Sequence, residues 1–188
     1  MIKFFKKGNN IPKADDILLI NYLEKFRFNK TLRFSNLTIN SNSKIEYKLD
    51  TFSHIAWSDI LNTSSTLSIE TENDKNQVMF KYNGTTVSPR YLPVIWGNGP
   101  HTLKIDNNKF YIDNILKATA SSSSMNTATW LEINTNSRQL QTDFYELKLY
   151  SSNVLVHHFV PAEVQVYGES SVTKCIWDKI DKKVAMII

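Results

Sequence analysis

A chain of 188 residues with 41% hydrophobic and 12% aromatic side chains can bury one full core and is too apolar to stay disordered. Its net charge of +4 comes from 18 lysines and 4 arginines against 18 acids. The lysines are scattered apart from Lys6-Lys7 and Lys182-Lys183, whereas nucleic-acid surfaces gather them on one face, so no nucleic-acid partner is expected. The single cysteine, Cys175, excludes an internal disulfide framework and any multi-cysteine metal site, and it fits a reducing cytoplasm. No run approaches the ~18 apolar residues of a membrane span, and the start lacks the long apolar stretch of a secretory leader.

Taken in chain order, residues 1–20 read as an arm. Phe4-Phe5 lie beside Lys6-Lys7, and Gly8, Asn9, Asn10 and Pro12 break any regular element. From Asp15 to Lys25 the pattern suits either a short aspartate-capped helix or a first strand. A short helical or irregular piece to about Asp16, then strand, is the expectation. Alternation follows: Leu32 and Phe34 share a face, and so do Ile45, Tyr47 and Leu49 between outward charges. Residues 52–61 form another apolar segment. Residues 67–70 and 77–82 flank a polar turn at 72–76, and Asn83-Gly84 makes a further turn. Residues 101–117 read as three short strands joined by Asp106-Asn107-Asn108 and Asp113-Asn114. A small-residue loop covers 118–129, and strands resume at 130–133, 144–150 and 154–160. Ten to twelve short strands at this spacing predict an all-β sandwich or barrel. With only 5 glycines, Asn and Ser must supply many turns.

Few constellations suggest chemistry. Glu70-x-Glu72-x-Asp74 would place three carboxylates on one face of a strand, the geometry of a glycosidase row or an oxygen-lined cation site. It runs into the turn, so a solvated hairpin tip is expected. His157 and His158 are adjacent, so on a strand they face opposite ways and cannot share one ion. His54 and His101 stand isolated, with no cysteine at ligand spacing. No Gly-x-Ser-x-Gly elbow and no phosphate-binding glycine loop is present. These observations predict no catalysis, no cofactor and no metal. Trp130 and Trp177 are expected in the core. Trp96, in a Pro- and Gly-bounded loop, is a candidate for stacking on a glycan or protein, although packing is its plainer role. Phe4 and Phe5 are candidate partner contacts, because two exposed rings on an arm suit docking on a neighbour.

The segments Lys44-Ile45-Glu46-Tyr47-Lys48-Leu49, Leu67-Ser68-Ile69-Glu70 and Val78-Met79-Phe80-Lys81-Tyr82, together with residues 101–114, resemble a laminin G/concanavalin A-like domain. Tyr111-Ile112-Asp113-Asn114 stands where that family has Tyr-x-Asp-Gly. Phe144 to Ala162 and then Cys175-Ile176-Trp177-Asp178 are similar to the closing segment of laminin G-like proteins of tailed bacteriophages. The resemblance covers about residues 21–185. It implies a jelly-roll β-sandwich (21–163), a short N-terminal arm (1–20) and a C-terminal extension packing on the sandwich (164–188). It also implies a virion structural protein of capsid or tail, made in the host cytoplasm and contacting other virion subunits or further copies of itself. A carbohydrate-binding adhesion module is the alternative.

Overall fold

The computed structural model describes residues 17–51, 58–63, 66–72, 74–94, 96–135 and 141–188. Phe4, Phe5, His54 and Trp57 lie outside them. The described chain is all strand: β1 (Ile17–Tyr22), β2 (Phe26–Phe28), β3 (Leu32–Ile39), β4 (Ser43–Thr51), β5 (Ser58–Thr63) and β6 (Leu67–Glu72). Then come β7 (Asp74–Tyr82), β8 (Thr85–Thr86), β9 (Leu92–Pro93), β10 (His101–Asp106), β11 (Lys109–Ile112) and β12 (Ile115–Thr119). The last five are β13 (Ala128–Thr135), β14 (Thr142–Ser151), β15 (Val154–Val166), β16 (Val172–Asp178) and β17 (Lys183–Ile187).

They form two antiparallel sheets. One has the order β12-β11-β10-β4-β14-β15-β16-β17, with β1 added to β15 and β2 to β14. The other runs β3-β13-β5-β6-β7-β8, with β9 on β7. The non-sequential neighbours β10-β4-β14 and β3-β13-β5 are the crossovers of a concanavalin A-like jelly roll, the form of sandwich that the family resemblance implied. The sheets meet through inward residues at every second position. Ile45, Tyr47 and Leu49 are 2% exposed or less. Phe80 of β7 stacks on Phe110 of β11 at 5.0 Å between ring centroids, and Phe34 of β3 meets Phe159 of β15 at 4.6 Å. Burying each such ring stabilises the sandwich by roughly 2–3 kcal/mol.

Polar residues other than glycine make several of the turns. Asp113-Asn114 and Ser152-Asn153 have φ of 51°, 65°, 48° and 66°. This is the left-handed pair that closes a two-residue hairpin, and short polar side chains tolerate it best after glycine.

The segment after Asp16 is the strand expected, and several other expectations change. Residues 17–20, assigned to the arm, pair with β15 from Ile17↔Val166 onward. The boundary at 163/164 falls inside β15, and β16 and β17 continue the sheet by backbone pairing instead of packing on it. Their burial does have a separate centre: Val160, Ala162, Val164, Cys175, Trp177 and Val184 form a second small apolar cluster beside the main core. Burial pushes the Cys175 thiol up to about 12, so it stays protonated and inert. Trp130 is half-buried, not core, and Arg33 lies over its ring at 4.4 Å. The turn after β6 is tighter than expected, because β7 already begins at Asp74.

Candidate active-site cleft

Two features of strand geometry open a cleft at one corner of the sandwich. In β3 the alternation slips: Ser35 and Asn36 are both exposed, and Asn36 takes φ 61° before Leu37 and Ile39 turn inward again. Pairing with β13 shows the same irregularity, since Trp130↔Ser35 is followed by Ala128↔Ile39. Such a bulge bends an edge strand away from its neighbour. Opposite it, β15 turns His157 and Phe159 toward the intersheet mouth and His158 to the outer face. His157 pairs across with Leu149, and His158 with Lys148. The resulting cleft of about 690 Å³ is lined by β3, by His157 and Phe159, and by the β16–β17 hairpin.

Asp178 organises this corner. It is 1% exposed and lies across from Phe159. One carboxylate oxygen accepts the backbone N–H groups of His158 (3.1 Å) and Ile180 (3.0 Å), the second of which caps the turn into β17. The other lies 2.6 Å from His157 Nδ1. Burial alone would raise the Asp178 carboxyl, but the His157 and backbone hydrogen bonds outweigh it and hold it below the usual range. The imidazole stacks on Phe159 with centroids 5.3 Å apart and planes 9° from parallel. With Nδ1 committed to Asp178, Nε2 is the nitrogen left for other partners, the arrangement in which a carboxylate orients a histidine. Asp181 sits close by, paired with Lys183 at 2.7 Å. Ligand atoms of His157, Asp178 and Asp181 lie within 4.8 Å of one another. Across the cleft, Arg33 is tied to Glu132 at 3.1 Å. Phe34, Leu37, Phe159 and Val184 supply apolar walls below these polar groups.

The other sequence candidates lie elsewhere. Trp96 is only 7% exposed, edge-on to His101 at 5.3 Å, so its ring has no free face for a sugar. His101 is itself held by Asp113 at 2.7 Å. Glu70, on β6, is paired with Lys81 at 2.8 Å and does not line the cleft. His158, outside, bonds Glu146 at 2.8 Å in a surface lattice of charges.

The sequence reading noticed His157 and missed Asp178 and Asp181. The available signal was Asp178-x-x-Asp181 directly after the apolar run Cys175-Ile176-Trp177. Only the β15–β16 register brings 157 and 178 together, and spacing alone does not supply it.

No family model matches the chain, and no curated protein matches it. Among solved structures it is similar to a Bacillus licheniformis β-glucanase. The two share 18% identity over 66% of this chain and 69% of that one, with a TM-score of 0.45. At that level no residue or substrate carries over. The expectation of a non-catalytic chain is corrected on this chain's own geometry: it rested on the lack of an acid–base pair away from a turn tip, and His157–Asp178 is such a pair. None of these comparisons supports a virion role.

Proposed function

We propose that this chain is a carbohydrate-recognition protein of jelly-roll fold that takes a short polyhydroxylated chain in the corner cleft. The observation that carries this reading is the cleft's make-up: a few converging polar groups over apolar walls, the usual composition of a small-ligand site. Sugar hydroxyls need both donors and acceptors at close quarters. Lys183 and Arg33 donate, Asp181 accepts, and His157 presents Nε2. The test is a glycan array probed with the wild-type chain and with His157→Ala and Lys183→Ala. Wild-type hits that both variants weaken or lose, with folding intact, support the reading. A blank array, or hits that both variants keep, removes it.

A second reading, contact with other virion subunits, is favoured by a different surface. Leu18, Ile20 and Tyr22 on β1 are 62%, 43% and 49% exposed, and Tyr167 and Val172 are exposed on the β15–β16 hairpin. Apolar surface of this kind marks protein contacts. Co-sedimentation with a parent particle, lost in a Leu18→Asp/Tyr22→Asp double variant, is the outcome this reading expects; retained co-sedimentation counts against it.

A further inference from the structure

We propose that His157, Asp178 and Asp181 bind one divalent cation of the zinc–cobalt class at the mouth of the cleft. Their ligand atoms already lie within 4.8 Å of one another. Bonds of about 2.0–2.2 Å in a tetrahedral shell need ligand atoms about 3.3 Å apart, which small side-chain rotations reach. The 2.6 Å contact between His157 Nδ1 and Asp178 marks where the ion would sit: a metal between them takes the place of the hydrogen they share, and the imidazole N–H then lies on Nε2.

Two of the three ligands are held in place before any ion arrives. The far oxygen of Asp178 is fixed by the His158 and Ile180 N–H groups, the outer-shell support seen around metal carboxylates. The His157 ring is stacked on Phe159. Asp181, in the turn between β16 and β17, is the adjustable ligand, and its present counter-ion is the exposed Lys183. The set is more than an acidic cluster, because it joins an imidazole and a buried, hydrogen-bonded carboxylate at the wall of a cleft. One imidazole and two carboxylates match a borderline cation. Calcium takes six to eight oxygens, which this set does not supply. Three protein ligands leave a fourth position directed to the cleft, the open arrangement of reactive zinc sites.

The inference stands apart from the glycan reading, since metal binding is measured without any sugar. Cobalt(II) is titrated into the purified full chain and followed by its visible absorption, with zinc titrated calorimetrically in parallel. The variants are His157→Gln, Asp181→Asn and, as a control, Cys175→Ser. The expected result is one saturable site with nitrogen/oxygen-type absorption, weakened at least about tenfold in His157→Gln and in Asp181→Asn and unchanged in Cys175→Ser. Excess calcium should not displace the cobalt. Asp181→Asn changes only a rim residue, so it reports binding even if His157→Gln folds poorly. The proposal is overturned by failure to bind at tens of micromolar metal, by binding that Asp181→Asn leaves unchanged, or by displacement with calcium.

Discussion

Two buried aspartates on the ten-stranded sheet, Asp143 and Asp178, differ in what holds their carboxylates and in what those carboxylates face. Asp143, at the start of β14, is 0% exposed and takes a bidentate grip from Arg27 (2.7 and 3.1 Å) and a bond from Lys25 at 2.6 Å. Its cross-strand partner Asp50 is equally buried. Asp50 receives the N–H groups of Gly97 and Gly99, whose φ of 85° and 121° only glycine adopts readily. That end fastens β2 and the 97–99 loop to the sheet. Asp178 is buried as deeply, but its side-chain partner is a titratable histidine at the wall of a cleft. The donors differ: permanent cations clamp Asp143, whereas Asp178 is held by backbone amides and orients a ring. A carboxylate neutralised by Arg and Lys is finished; one that aims an imidazole has a further task.

The largest expected effect is at the clamp. Asp143→Ala should cost about 3 kcal/mol in urea unfolding, from the charge-assisted hydrogen bonds its buried carboxylate takes from half-exposed Arg27 and Lys25, and leave ligand binding by the folded fraction intact. A loss below about 1 kcal/mol would remove the architectural role. Asp178→Ala should cost less, about 2 kcal/mol from unmade hydrogen bonds, and yet abolish glycan binding. If the two variants behaved alike in binding, the comparison would fail.

Acid provides a second contrast. Burial would raise the Asp143 carboxyl, but Arg27 and then Lys25 outweigh it and hold it low; Asp178 is likewise held low. A carboxyl depressed in the folded state contributes stability fully above its unfolded value, near 3.9, and that stability is lost as pH falls through the folded value. Unfolding free energy should therefore drop below about pH 4 in the wild type. Asp178→Asn should show a shallower acid limb in chemical denaturation, and an unchanged limb would contradict the assignment.

Two smaller effects sharpen the picture. Lys183→Ala should leave stability within about 0.5 kcal/mol, because its pairing with Asp181 is exposed, while weakening glycan binding. Trp96→Phe should change stability by less than about 1 kcal/mol, since the indole Nε1 is buried with no hydrogen-bond partner among the described residues. Unaltered glycan binding in Trp96→Phe, measured by calorimetry, would fit its place in the core.

Much of the fold was readable because its signals are local. The Ile45-Tyr47-Leu49 alternation and the Asp113-Asn114 and Ser152-Asn153 turns need only neighbouring residues to be recognised. The cleft was not readable, because it depends on long-range register: His157 meets Asp178 only once β15 pairs with β16, and the mouth opens only where β3 bulges at Asn36. Trp130 misled for a related reason. It lies in an apolar run, but its own face carries Arg33 and Glu132 from the outer surface of the sheet.

The central claim is that the corner cleft is where this protein meets its ligand. Amide and side-chain NMR shifts of the labelled chain, followed during titration with short glycans, test it most directly. Shifts are expected to concentrate at Arg33, Asn36, His157, Asp181 and Lys183, with Asp50, Trp96 and Asp143 silent. Saturable shifts confined to Tyr111, Tyr145 and Tyr150, the tyrosines of the ten-stranded sheet over which Lys104, Lys48 and Lys44 lie, with the cleft silent, would overturn the assignment.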